Sequence, residues 1–219
     1  MEITAASQTP DQTYKLITGL IVPRPIAWVT TLSDDATVNL APFSAYGLVT
    51  HSPPLLMVSV GTRDGLRKDT GRNIAVRGEF VVNVACFADV EAVHDSSAAL
   101  AYGESEVAAL GLETVPSRAV APPRLARAAA GMECRLRRTV EIEGADSVMF
   151  IGEVVTFHVR DDLLRDGKID TPALDPAARI GGPNYAGLGR FRRIDPSGGN
   201  SAARGLTWMG PGDQPPREP

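Results

Sequence analysis

Ile26-Ala27-Trp28-Val29-Thr30-Thr31-Leu32 is the stretch from which the rest of the chain can be read. Pro23-Arg24-Pro25 precedes it and ends any helix, because each proline removes an N–H donor and fixes its own φ. The seven residues that follow are rich in β-branched and aromatic side chains, and Ser33-Asp34-Asp35 supplies a turn. The pattern is a strand entering a hairpin, with Val38-Asn39-Leu40 as the return arm. Ile26, Trp28 and Thr30 share one face and Ala27, Val29 and Thr31 the other, and either face can be the core side.

Working outward, Phe43 to Thr50 and Leu55 to Val60 read as two more strands separated by Ser52-Pro53-Pro54, and Glu79 to Phe87 as another. Met132 to Ile142 and Ser147 to Arg160 read as a pair of long strands joined at Glu143-Gly144-Ala145-Asp146. Residues 1–22 are mildly helical at best. Residues 88–112 are alanine-rich and read as helices broken by Gly103, and 113–131 as a proline-studded loop. Strands succeed one another as hairpins, with no regular βαβ alternation. The expected fold is therefore mainly β, an antiparallel barrel with helical insertions. Its main domain spans 1–195, with 196–219 as a C-terminal tail. Within that tail Leu206, Trp208 and Met209 form an apolar cluster expected to dock on the barrel or on a second subunit, since disordered segments are poor in aromatics.

Composition narrows the function. The 219 residues carry 22 basic and 26 acidic side chains, a net charge of −4, which argues against a general nucleic-acid binder. Cys86 and Cys134 stand alone and His51, His94 and His158 lack metal-ligand spacing, so no metal site is expected. No apolar run approaches the roughly 20 residues of a membrane span, and Met1-Glu2-Ile3-Thr4 lacks the order of a signal peptide. A cytoplasmic protein is the expectation. No GxGxxG follows a strand and no GxSxG elbow is present, which leaves a Rossmann site and nucleophilic catalysis without support.

Two segments stand out chemically. Arg63, Arg67, Lys68 and Arg72 fall within eleven residues, interleaved with Thr70 and Asn73, where a short helix opens and runs to Arg77. Cations beside the unpaired N–H groups of a helix start suit a phosphate; the same residues also suit a solvated, capped helix. In Asn39-Leu40-Ala41-Pro42-Phe43-Ser44-Ala45-Tyr46, small polar residues sit between apolar strands. Asn39 and Ser44 can turn polar groups toward a flat heteroaromatic ring, or bond to backbone at a strand bend.

Taken in order, Pro23-Arg24-Pro25-Ile26-Ala27-Trp28-Val29-Thr30-Thr31, Asn39-Leu40-Ala41-Pro42-Phe43-Ser44, Ser52-Pro53-Pro54, Lys68-Asp69-Thr70 with Asn73, and Glu79-Phe80-Val81-Val82-Asn83 resemble the flavin reductase-like, FMN-binding split-barrel family, flavoredoxin-like proteins included. Gly152-Glu153-Val154-Val155 and Arg179-Ile180-Gly181-Gly182-Pro183-Asn184-Tyr185 extend the resemblance, which runs from about residue 12 to residue 195.

The resemblance implies a six-stranded split barrel that works as a homodimer, with FMN near the subunit interface. It implies that Lys68, Thr70 and Asn73 hold the phosphate, assisted by Arg63 beside Ser59-Val60-Gly61, with Ser59 counted among the cofactor contacts. Thr30, Thr31, Asn39, Phe43, Ser44 and Ala45 would line the isoalloxazine and ribityl chain, and Tyr185 would reach the cofactor late in the chain. His158 would stand on the substrate side as a catalytic candidate. The implied activity is an NAD(P)H-dependent flavin reductase that passes electrons to an acceptor or a partner monooxygenase. The alternative is an FMN electron carrier with no nicotinamide site of its own.

Overall fold

The computed structural model describes residues 1–63 and 65–190. The apolar cluster at Leu206, Trp208 and Met209 lies outside the described residues.

Seven antiparallel strands carry the fold: β1 (Ala27–Leu32), β2 (Val38–Phe43), β3 (Tyr46–His51), β4 (Pro54–Arg63), β5 (Glu79–Val84), β6 (Ala130–Glu141) and β7 (Ser147–Val159). Their order across the sheet is β2-β1-β5-β6-β7-β4-β3. The two outer strands, β2 and β3, are consecutive in the chain and joined only by Ser44 and Ala45. A two-residue link cannot bridge the width of a flat sheet, so the sheet curls round and brings its ends together at one corner. This is the expected β-barrel, with helices inserted between strands.

The alternation of β1 explains why either face could be read as core: both are. Ala27 and Val29 point inward among Val58, Phe80, Val82, Cys134 and Phe150. Trp28 points outward but is equally buried, in a second cluster with Leu40, Val93, Val107 and Leu125 from the connections that wrap the barrel. Its indole N–H donates to Ser96 Oγ at 2.8 Å, which satisfies the one polar atom a buried tryptophan carries.

Residues 1–22 hold more order than their composition suggests. Helix α1 (Pro10–Leu20) starts with a reciprocal capping box between Thr9 and Gln12 and a proline in its first turn. Arg24 fastens it to the barrel, donating to the Thr18 and Ile21 carbonyls, to Ser44 Oγ and to the Ile180 carbonyl.

Helix α2 (Asp69–Arg77) packs across the barrel between β4 and β5. Gly71 permits its close approach: a Cβ there would already touch Phe150 and Val60 at 3.4 Å. The alanine-rich stretch is less helical than expected. It contains only α3 (Val90–Asp95) and α4 (Glu106–Ala109), separated by an irregular segment, 96–105. No described helix is long and apolar enough to cross a membrane. Among the described residues no group of three or more His, Cys, Asp or Glu side chains is placed to hold a metal ion.

Candidate functional site

The edge strand β2 begins the site. Its Leu40 N–H points away from the sheet, donating to Glu106 Oε2 at 2.9 Å, and its Val38 carbonyl accepts from Ser105 Oγ at 2.5 Å. Helix α4 therefore caps the first half of the exposed edge. By the same alternation Pro42 also faces outward, where it has no N–H to leave unpaired. Beyond α4 the edge stays open, and a pocket of about 330 Å³ lies against it. Asn39, Ala41, Pro42 and Phe43 form one wall, residues 66–70 a second, and the 96–102 segment with Glu106 a third.

Behind the pocket sits a closed polar network. Asn39 Nδ2 donates to Thr70 Oγ1 at 2.9 Å and to Thr31 Oγ1 at 3.2 Å, and Asn73 Nδ2 donates to the same Thr31 oxygen at 3.0 Å. All four residues are buried. With the amide nitrogen facing the two hydroxyls, Asn39 donates to both and each threonine oxygen is the acceptor. Asn39 thereby ties the edge strand to the start of α2. Thr70, used as an acceptor, keeps its own proton to donate.

Lys68 is the N-cap of α2, in extended conformation, with no side-chain cap of the helix. The first-turn N–H groups have no intrahelical acceptors and carry the positive end of the helix dipole. The neighbouring cations are committed elsewhere. Arg67 pairs with Glu141, and Arg72 pairs with Asp34 at 3.6 Å while its guanidinium lies 4.1 Å from the centre of the Tyr102 ring. That stacking fastens the 96–105 wall to α2. Burial pushes the Glu106 carboxyl above the usual carboxylate range, opposed by the Leu40 N–H and reinforced by the charge of Asp69.

The structure thus brings Asn39, Phe43, Lys68 and Thr70 to one pocket and sets Thr31 and Asn73 directly behind it. It does not bring the other expected residues there. Thr30 faces the opposite side of β1 and donates to the Pro123 carbonyl at 2.6 Å, so it pins a loop. Ser44 and Ala45 form the barrel corner, with Ser44 held by Arg24 and the Ala45 carbonyl accepting from Ser59 N–H. Ser59 faces Met149 across the sheet, and Arg63 ends β4 paired with Leu66. Tyr185 lines a different pocket with His94 and Pro183; its ring lies under Arg179, which also donates to its hydroxyl. His158 lines a third, its Nε2 2.5 Å from Glu133 Oε1.

The residues that a reading of the sequence does not find are Tyr102 and Glu106. Ser105 at an N-cap position is legible locally, and it does accept from Ala108 N–H. That the short helix lands on the β2 edge is set by tertiary packing.

The donor set fits a phosphorylated flat ligand: a helix N-terminus with a lysine at one end, an aromatic side chain and an open strand edge at the other. Residues 19–175 match the family model described as flavin reductase like domain, and the chain belongs to that family. The structure is similar to nitrilotriacetate monooxygenase component B from Bacillus cereus (TM-score 0.86, 37% identity, covering 89% of this chain and 98% of that one). It is also similar to 2-nitrobenzoate 2-nitroreductase NbaA from Pseudomonas fluorescens (TM-score 0.83, 32% identity, 92% and 100%). Flavoredoxin of Desulfovibrio vulgaris (Miyazaki F) aligns with a TM-score of 0.73 at 25% identity over 91% and 100%. The fold is the split barrel of flavin reductases.

Proposed function

We propose that this protein is an FMN-binding oxidoreductase, an NAD(P)H-dependent flavin reductase whose electrons pass to an acceptor or a partner monooxygenase. The observation that carries the reading is the Asn39–Thr70 hydrogen bond, which joins the strand edge suited to a ring and the helix start suited to a phosphate in one pocket. Bound FMN supplies the hydride and electron chemistry. The chain's own residues bind and orient it. Lys68, Thr70 and the first-turn N–H groups of α2 receive the phosphate, Asn39 and Phe43 border the ring, and Thr31 and Asn73 hold Asn39 in place. Thr30, Tyr185 and His158 are outside this contact set.

The likeness to a monooxygenase component supports a redox partner, and the likeness to a nitroreductase supports direct reduction of a small molecule. The likeness to flavoredoxin favours a second reading, an FMN electron carrier without a nicotinamide site. Steady-state oxidation of NADH and NADPH with added FMN separates the two: turnover with either nucleotide supports the reductase, and none with a flavin-loaded protein supports the carrier.

A homodimer is part of the proposal. Leu20 and Leu48 are about four-fifths exposed, at 80% and 78%, and Phe157 is 61% exposed, large apolar side chains of the kind a twofold partner covers. Light scattering at micromolar concentration tests this; a mass near 23 kDa contradicts it.

A further inference from the structure

Away from the pocket at the β2 edge, a cavity of about 420 Å³ opens where β7 ends beside the loop 124–129. It is lined by Arg124, Arg127, His158 and Arg160, and it shares no lining residue with the first pocket. The frame is rigid. Thr30 holds the Pro123 carbonyl, Asn83 Oδ1 accepts from Leu125 N–H at 2.9 Å, and Arg160 N–H donates to the Ala129 carbonyl at 2.9 Å. Arg124 lays its stem over Gly131, the residue that pairs with His158 across the sheet.

Carboxylates stand beside three of these four side chains. Arg127 pairs with Asp89 at 2.5 Å, Arg160 grips Asp162 at 2.5 and 3.1 Å, and His158 meets the fully buried Glu133. The two arginine pairs each take one side of a guanidinium and fix its orientation, leaving further N–H donors, since an arginine has five. Arg124 is different. Its Nε is buried with no hydrogen-bond partner among the described residues, and its Nη2 reaches only the Pro116 carbonyl at 3.5 Å. Among the described residues Arg124 has no carboxylate partner, so its charge is the one left uncompensated in the cavity lining.

We infer that this cavity binds the phosphate group of a small phosphate ester, at a site separate from the flavin pocket and independent of the flavin reading. A tetrahedral dianion offers acceptor oxygens in several directions, which guanidinium groups arriving from the loop and from the end of β7 can meet together. The volume leaves room for the organic part of the ester.

Inorganic phosphate is the probe, titrated at constant ionic strength while the melting temperature is followed. Phosphate can also occupy the start of α2, so Lys68→Ala is measured beside the wild type. Binding to the native state raises the melting temperature. The upward shift is expected to persist in Lys68→Ala and to fall, in Arg124→Gln and in Arg160→Gln, to the part that α2 alone provides. Using two arginine variants keeps the test decisive if one of them folds poorly. A shift lost in Lys68→Ala and kept in both arginine variants places phosphate at α2 alone and overturns the proposal, as does no shift in the wild type.

Discussion

Asn39 on the edge strand and Thr70 in the first turn of α2, thirty-one residues apart in the chain, are joined by a buried 2.9 Å hydrogen bond. This contact fixes where the helix start sits relative to the strand edge, and so fixes the length of ligand the pocket accepts.

Replacing Asn39 by alanine removes two of the three hydrogen bonds of that network; Thr31 keeps Asn73, and the buried Thr70 hydroxyl loses its side-chain partner. The cost is expected to be about 1–3 kcal/mol, read as a lower midpoint in denaturant. FMN affinity is expected to fall with it. Thr70→Val keeps the shape and is expected to lose FMN affinity with a smaller loss of stability.

Lys68→Ala is expected to leave the fold intact, because the side chain is exposed and makes no cap of the helix. Loss of a charge-assisted contact to phosphate lowers FMN affinity about ten- to a hundredfold. A fluorescence titration yielding an unchanged dissociation constant contradicts the phosphate assignment.

Gly152 on β7 tests the barrel interior. A Cβ there would lie 2.4 Å from Cζ of Phe80 and 3.3 Å from Cβ of Cys134, both wholly buried. Gly152→Ala must displace a packed ring and is expected to cost about 1–3 kcal/mol, measured by thermal unfolding. Gly47, with open space at its Cβ position, is the control.

Glu133 gives the fold a pH dependence. Burial alone would raise its carboxyl, but hydrogen bonds from the N–H groups of Arg118 and Ala119 and from the His158 ring hold it below the usual range. A depressed carboxyl binds fewer protons folded than unfolded. Its contribution is therefore complete above the unfolded value, about 4.3 for glutamate, and is lost as pH falls through the folded value. Glu133→Gln is expected to lower the melting temperature at neutral pH, and the gap to wild type to narrow below about pH 4. A gap that stays constant across that range contradicts this account.

Much of the barrel is legible in the sequence because hairpin strands announce themselves locally: the alternation of Ala27–Leu32, the long pair at Ala130–Glu141 and Ser147–Val159, and the turn between them. The start of α2 and the pairing of Lys68 with Thr70 are local as well. What is not legible depends on three-dimensional approach. Thr30 and Thr31 are neighbours in the chain, yet the pleat sends one to a loop and the other to the site. Tyr102 and Glu106 lie in a stretch whose composition reads as plain helix, and only packing lays it along the β2 edge. The spacing of His158 says nothing of Glu133, which meets it from the neighbouring strand, two residues beyond its register partner Gly131.

The most direct test of the central claim compares FMN with riboflavin, which has the same ring and chain without the phosphate, by calorimetric titration of the flavin-free protein. If the start of α2 receives a phosphate while the β2 edge holds the ring, both flavins bind and FMN binds about ten- to a hundredfold more tightly. Equal affinities would remove the phosphate seat at α2, and no binding of either flavin would contradict the account altogether.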